Sequence, residues 1–255
     1  MIKQMAGRIV TRIAPQCCFH RAVFVLGHMR CGSTALSNIL CSRPDISGYG
    51  EAHISYKDRS ALGVLAINQL RRKAWRPRAQ YLFDKVLHSR YDDDPVPEFF
   101  EARAIFLVRE PFATICSIRK LFQAIGSAEY VTDSLAADYY EQRLAQLLVN
   151  WSQFPADHRI GLSFDQLTSD PDAALAAISS RLRLTPPLAN RYDVSIKADK
   201  PGAGDPLSAH RFSSIVSGDR STSLTGKSRI LDIPSSRLAQ LDQLYFSLRE
   251  TVTKL

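Results

Sequence analysis

Apolar residues along this 255-residue chain follow two alternating patterns. The runs Ala22–Leu26, Tyr81–Phe83, Ala104–Val108 and Arg159–Phe164 are short and rich in Val, Ile, Leu and Phe, which suits buried parallel strands better than helices. Between them the apolar positions recur every three or four residues. Ala35, Leu36, Ile39 and Leu40 share one helical face, as do Ile115, Ile118, Phe122 and Ile125. Leu135, Tyr139, Leu144, Leu147, Leu148 and Trp151 mark a longer helix, with Asp133 or Ser134 as its cap. Pro111, Asp170-Pro171 and Pro234 open further helices, two of them carrying Leu175, Ile178 and Leu182, then Leu238, Leu241, Leu244, Leu248 and Val252. Pro95 to Ala102 reads as a brief helical approach to the strand at 104.

Strands alternating with helices predict an α/β fold, a mostly parallel central sheet flanked by helices. The expected organisation is a single domain over 1–255. Residues 1–20 form an N-terminal extension or helix, and 234–255 a C-terminal helix. Between 185 and 231 the pattern dissolves into Pro, Gly, Ser and charge, a long functional or mobile loop. Ile2, Met5, Ile9 and Ile13 could line one helical face with Lys3, Arg8 and Arg12 elsewhere. A terminal helix packed on the core is expected there, with weak membrane-surface contact as the alternative.

The stretch from Gly27 to Thr34 connects a buried strand to a helix N-terminus, where exposed N–H groups and the positive dipole end favour an anion. Gly32 allows close approach of the backbone, and Ser33 and Thr34 add hydroxyl donors. The glycine spacing is that of a phosphate loop, but Ser33 stands where a nucleoside triphosphatase carries its Lys, and the nearby cation is Arg30. That argues against ATP or GTP and not against a nucleotide. The strand ending at Val108 releases a second cation, Arg109, and the ensuing helix carries Ser117. A guanidinium fork and a hydroxyl there could clamp a second phosphate.

Composition adds bounds. The formal charge of +8, from 33 basic and 25 acidic residues, suits an anionic ligand or surface. Arg71-Arg72-Lys73, Arg76 and Arg78 around Trp75 read as a solvated helix face rather than a nucleic-acid patch. Five cysteines without a C-x-x-C pair favour free thiols and a reducing cytoplasm. No signal peptide or membrane-spanning stretch is read, and His and Cys are scattered without metal-ligand spacing, so no metal is expected.

Met29-Arg30-Cys31-Gly32-Ser33-Thr34 resembles the loop of sulfotransferases that use 3′-phosphoadenosine 5′-phosphosulfate (PAPS), with Cys31 in place of the usual Ser. Arg109 followed by Ser117 resembles that family's signature for the 3′-phosphate, and Ser163 to Pro171 its strand-to-helix segment. Lys200 to Pro206 resembles the late loop that closes over the 3′-phosphate, which makes Lys200 and Arg211 candidate ligands beside the plainer reading of surface-loop cations. The resemblance implies a P-loop NTPase-like sulfotransferase fold and metal-independent, in-line transfer of the sulfuryl group from PAPS, leaving the bisphosphate product PAP. The acceptor would be a hydroxyl, less readily an amine, on a small molecule or glycan.

Gly50-Glu51-Ala52 resembles the position of the general base in the tyrosylprotein and some bacterial carbohydrate members. Lys85-Val-Leu-His88 resembles the Lys and His of the animal cytosolic branch with one residue more between them. Glu51 is therefore the first candidate base, His88 the second and His53 the third, while Lys85 beside Asp84 is a candidate at the transferring group. The readings left standing beside this one are a P-loop nucleotide or small-molecule kinase and a non-catalytic anion- or membrane-binding module. The acceptor and oligomeric state are not legible, although Tyr130, Tyr139 and Tyr140 could stack on a sugar or aromatic acceptor.

Overall fold

The computed structural model describes residues 2–192, 212–217 and 230–253. Strands β1 (Ala22–Gly27), β2 (Ile46–Ser47), β3 (Tyr81–Val86), β4 (Arg103–Val108) and β5 (Arg159–Ser163) form one parallel sheet in the order β2-β3-β1-β4-β5. β1 is central, so the loop that follows it opens between the carboxyl ends of β3 and β4. The helices are α1 (Ile2–Ile13), α2 (Ser33–Ser42), α3 (Ala61–Arg71), α4 (Pro111–Ala124), α5 (Asp133–Gln153), α6 (Phe164–Ser169), α7 (Pro171–Arg181) and α8 (Ser235–Thr253).

The period of two along each strand divides the interior into two cores. Val23, Val25, Ile105 and Leu107 face Leu36, Ile39 and Leu40 of α2 and Leu175 and Ile178 of α7. Phe24, Leu26, Phe106 and Val108 face Ile115 and Ile118 of α4, Leu144 and Leu147 of α5, and Leu248 of α8. β1 is buried at every position, as a continuous apolar run requires.

Several local expectations change. β3 continues through Asp84 and Lys85, both buried within the strand rather than standing at its end. α5 is capped by Thr132, whose hydroxyl accepts from the Leu135 N–H at 3.1 Å. Leu135 and Ile125, assigned by periodicity to buried faces, are 45% and 52% exposed. α3 was not anticipated; it ends at Arg71, so the basic stretch to Arg78 straddles a helix end and the turn after it.

α1 is the expected terminal helix, but it packs through its small face. Gly7 meets Gly63 of α3 so closely that a Cβ on Gly63 would lie 2.0 Å from the Gly7 carbonyl oxygen. Met5, Ile9 and Ile13 face outward. Among the described residues no helix is long and apolar enough to cross a membrane.

Candidate active site

After Gly27 the backbone passes through left-handed conformations at Arg30 (φ 67°) and Gly32 (φ 90°) before α2 begins at Ser33. A left-handed residue other than glycine costs about 1–2 kcal/mol and persists only where its surroundings hold it. A Cβ on Gly32 would meet the Phe164 ring at 2.9 Å, so glycine is required by space as well as by φ. Ser33 is buried, its carbonyl accepting from the Ser37 hydroxyl at 2.7 Å, and Thr34 is half-buried in the first turn. The Cys31 thiol is wholly buried and raised by that burial, so this position can offer an anion its backbone and not its side chain.

Three polar side chains brace the loop, His28 and Arg143 wholly buried and Tyr139 partly so. Arg109 N–H donates to His28 Nε2 at 2.9 Å, which leaves Nδ1 to donate to the Met29 carbonyl, also at 2.9 Å. Burial lowers the His28 pKa to about 3, keeping the ring in this neutral tautomer. The Tyr139 hydroxyl accepts from Met29 N–H and donates to the Leu87 carbonyl, both at 2.7 Å. Arg143 donates to Gly27 O at 2.8 Å and Val86 O at 2.9 Å, tying the carboxyl ends of β1 and β3. Its charge is met by Asp92, likewise wholly buried, at 2.6 and 3.0 Å. Burial raises the Asp92 pKa against the pull of that guanidinium.

On the β4 side, Arg109 lies over the Phe164 ring at 4.2 Å and donates to the Arg30 carbonyl at 3.2 Å. Arg30 Nε donates to the Ser117 hydroxyl at 2.8 Å. The two candidate anion half-sites, at Arg30 and at Arg109, therefore touch. Burial lowers the Arg109 pKa from its usual range; a guanidinium starts so high that it stays charged. Glu110 caps α4, accepting from Ala113 N–H at 2.8 Å, and burial raises its pKa.

On the β3 side the groups are acids and imidazoles. Asp84 accepts from the N–H groups of Ala52 and Lys85 at 2.8 Å each and from the Tyr56 hydroxyl at 2.7 Å. Burial nevertheless raises its pKa to about 7. Asp84 and Lys85 are buried and point to opposite faces of β3, with Lys85 on the face of α2 and Asp84 on that of Tyr56. The Lys85 N–H also reaches Gly50 O at 3.2 Å, which holds the loop carrying Glu51 against the strand end.

Glu51 Oε1 is 3.7 Å from His53 Nε2 and 3.8 Å from His88 Nε2, beyond hydrogen-bond reach of both. Among the described residues this buried oxygen has no donor. His53 is half exposed and takes a left-handed φ of 55°, whereas His88 is largely buried, and that burial lowers its pKa to about 3.

The structure thus gathers Arg30, Gly32, Ser33, Thr34, Arg109 and Ser117 at one side of the β1 loop and Glu51, Lys85 and His88 at the other. Lys200 and Arg211 lie outside the described residues. Sequence reasoning missed His28, Phe164 and Arg143. Arg143 had a signal: it stands four residues from both Tyr139 and Leu147, on the buried stripe of α5, where a charge must have a buried partner.

A sulfotransferase family model matches residues 67–187. Among solved structures, the fold is similar to the sulfotransferase domain of the Synechococcus PCC 7002 olefin synthase, with a TM-score of 0.60 and 20% identity over 88% of this chain and 94% of that one. It is also similar to the sulfotransferase domain of the curacin biosynthetic pathway, with a TM-score of 0.58 and 18% identity over 87% and 95% of the two chains. A sulfotransferase from Alicyclobacillus acidocaldarius gives a TM-score of 0.50 and 12% identity over 91% and 96%. No curated protein matches the chain by sequence.

Proposed function

Because this chain belongs to the sulfotransferase family, we propose that it transfers the sulfuryl group of PAPS to the hydroxyl of an acceptor held against Glu51. The observation that carries this reading is the Arg30–Ser117 hydrogen bond of 2.8 Å, which joins the two anion half-sites into one surface. A nucleotide bearing a ribose phosphate and a phosphosulfate needs two such half-sites side by side. The site also fits on shape, since the cradle at Gly32 has no room for a side chain.

PAPS, when bound, supplies an activated sulfuryl group on a phosphate leaving group. Backbone N–H groups at the α2 terminus, with Ser33 and Thr34, hold the phosphosulfate end; Arg109 and Ser117 hold the 3′-phosphate. Arg30 and Lys85, which flank the loop from the β4 and β3 sides, offset the charge that grows on the bridging oxygen as its bond to sulfur breaks. Glu51 Oε1 takes the acceptor's hydroxyl proton while that oxygen bonds to sulfur, and the proton later leaves to solvent. His88 is the weaker base, because a ring whose conjugate acid titrates near pH 3 has little affinity for a proton at neutral pH. Its place is beside the carboxylate, where its ring excludes water.

A thermal-shift titration with 3′,5′-adenosine bisphosphate beside magnesium-ATP tests the reading. At 100 times its dissociation constant the bisphosphate should stabilise by about 2.7 kcal/mol, raising the midpoint by roughly 5–10 °C. A shift with magnesium-ATP and none with the bisphosphate would replace this reading with a kinase.

A further inference from the structure

We propose that the acceptor is an alcohol on an extended apolar body, seated along a wall of aromatic rings running from Glu51 to the junction of α4 and α5. This rests on the sulfuryl-transfer reading above and narrows its acceptor.

The wall is continuous. The His88 ring, beside Glu51, lies 5.3 Å from that of Tyr139; Tyr139 lies 5.5 Å from Tyr130, and Tyr130 lies 4.6 Å from Phe122. Its inner end is the one buried carboxylate oxygen of Glu51 that lacks a donor among the described residues. Its outer end is apolar. Ile125, three residues beyond Phe122, is 52% exposed; Val131, next to Tyr130, is 49% exposed; and Leu135, one turn before Tyr139 on α5, is 45% exposed. Two of these, Ile125 and Leu135, carry the helical periodicity of buried residues. Apolar residues that stay exposed among the described residues, next to the site, mark a surface that a ligand covers.

The wall's hydrogen-bonding capacity argues for the ligand class. The Tyr139 hydroxyl is spent on Met29 N–H and the Leu87 carbonyl, and the Tyr130 hydroxyl is engaged by Glu129. A sugar laid along these rings would strip water from many hydroxyls and find few partners, whereas an apolar body loses nothing by leaving water. The acceptor hydroxyl then meets Glu51, its body lies on Tyr139 and Tyr130, and its far end covers Val131 and Leu135.

The test uses the full chain saturated with 3′,5′-adenosine bisphosphate, titrated calorimetrically with decan-1-ol and with methyl glucoside as probes. Decan-1-ol is expected to bind at least tenfold more tightly. The Val131→Ser/Leu135→Ser double variant, altered only at exposed positions, should weaken decan-1-ol about tenfold and leave bisphosphate affinity unchanged. Equal affinity of wild type and variant for decan-1-ol, or tighter binding of the glucoside, overturns the proposal. So does absent decan-1-ol binding accompanied by a dimer, seen by light scattering, that the double variant dissolves; the patch would then be covered by a second copy. If the bisphosphate itself fails to bind, the donor reading falls, and decan-1-ol titrated into the bare protein still decides the wall by the same comparison.

Discussion

The two neighbours of β1 end in opposite chemistry. Beyond β4 stand guanidinium groups, Arg109 donating to the Arg30 carbonyl and Arg30 donating to Ser117, steadied by neutral struts such as His28. Beyond β3 stand Glu51, Asp84 and His88, whose acid or imidazole groups crowd one buried region with Lys85. Fixed positive charge suits holding an anion, because a guanidinium keeps its proton at any working pH. Burial raises Glu110 on the β4 side too, but on the β3 side it moves two groups next to the candidate base, raising Asp84 and lowering His88. On the proposed reading, one strand end would bind the nucleotide, the other would handle protons, and the central loop would present the transferring group between them.

The largest expected effect comes from breaking what the two sides share. Arg143 braces both β1 and β3, and Arg143→Leu leaves Asp92 buried without its cation. A loss of about 3–5 kcal/mol is expected, read by urea denaturation as a fall in midpoint. A loss below about 1 kcal/mol would show that the two strand ends are held independently of this pair.

Glu51→Gln separates the sides. Turnover should fall by roughly 10² or more, the scale for losing a general base, while affinity for 3′,5′-adenosine bisphosphate stays within about twofold. Unchanged turnover, with His88→Gln inactive, would move the proton-accepting role to His88.

A pH-dependent effect concerns Asp84. Its folded pKa, about 7, lies above the ordinary carboxyl value, so the folded state binds the proton more tightly than the unfolded one. Its contribution to stability is full below about pH 4 and is lost as pH rises towards 7, at up to about 1.4 kcal/mol per pH unit. Asp84→Asn should remove that downward component between pH 4 and 7 in a series of denaturation curves. An identical slope in wild type and variant would mean that the three donors around the carboxylate outweigh its burial.

The β4 side was also the more legible in sequence. Gly27, Gly32, Ser33 and Thr34 state a local geometry within a few residues, and Arg109 directly follows an apolar run that can only be a strand. The β3 side hides its geometry. Asp and Lys are poor strand formers, so the run Tyr81–Phe83 seemed to stop there, and the three donors that let Asp84 stay buried come from residues 52, 56 and 85. Glu51 was singled out as a candidate by resemblance, but its orphaned oxygen between two imidazoles appears only when loop 48–60 is folded over the strand ends. His28 leaves no trace in periodicity, since a lone loop His becomes a strut only through Arg109 on another strand. The outward faces of Leu135 and Ile125 were misread for a related reason: helical spacing shows which residues share a face and not whether another element covers it.

The central claim is that the Arg30 and Arg109 halves form one site for one nucleotide. Calorimetric titration of wild type and Arg109→Ala with 3′,5′-adenosine bisphosphate and with adenosine 5′-phosphosulfate, which lacks the 3′-phosphate, tests it directly. The bisphosphate should lose roughly 10- to 100-fold in affinity, as expected for charged hydrogen bonds worth about 1.5–3 kcal/mol, with adenosine 5′-phosphosulfate changed by less than about threefold. Equal losses for the two ligands would contradict the assignment of Arg109 to the 3′-phosphate.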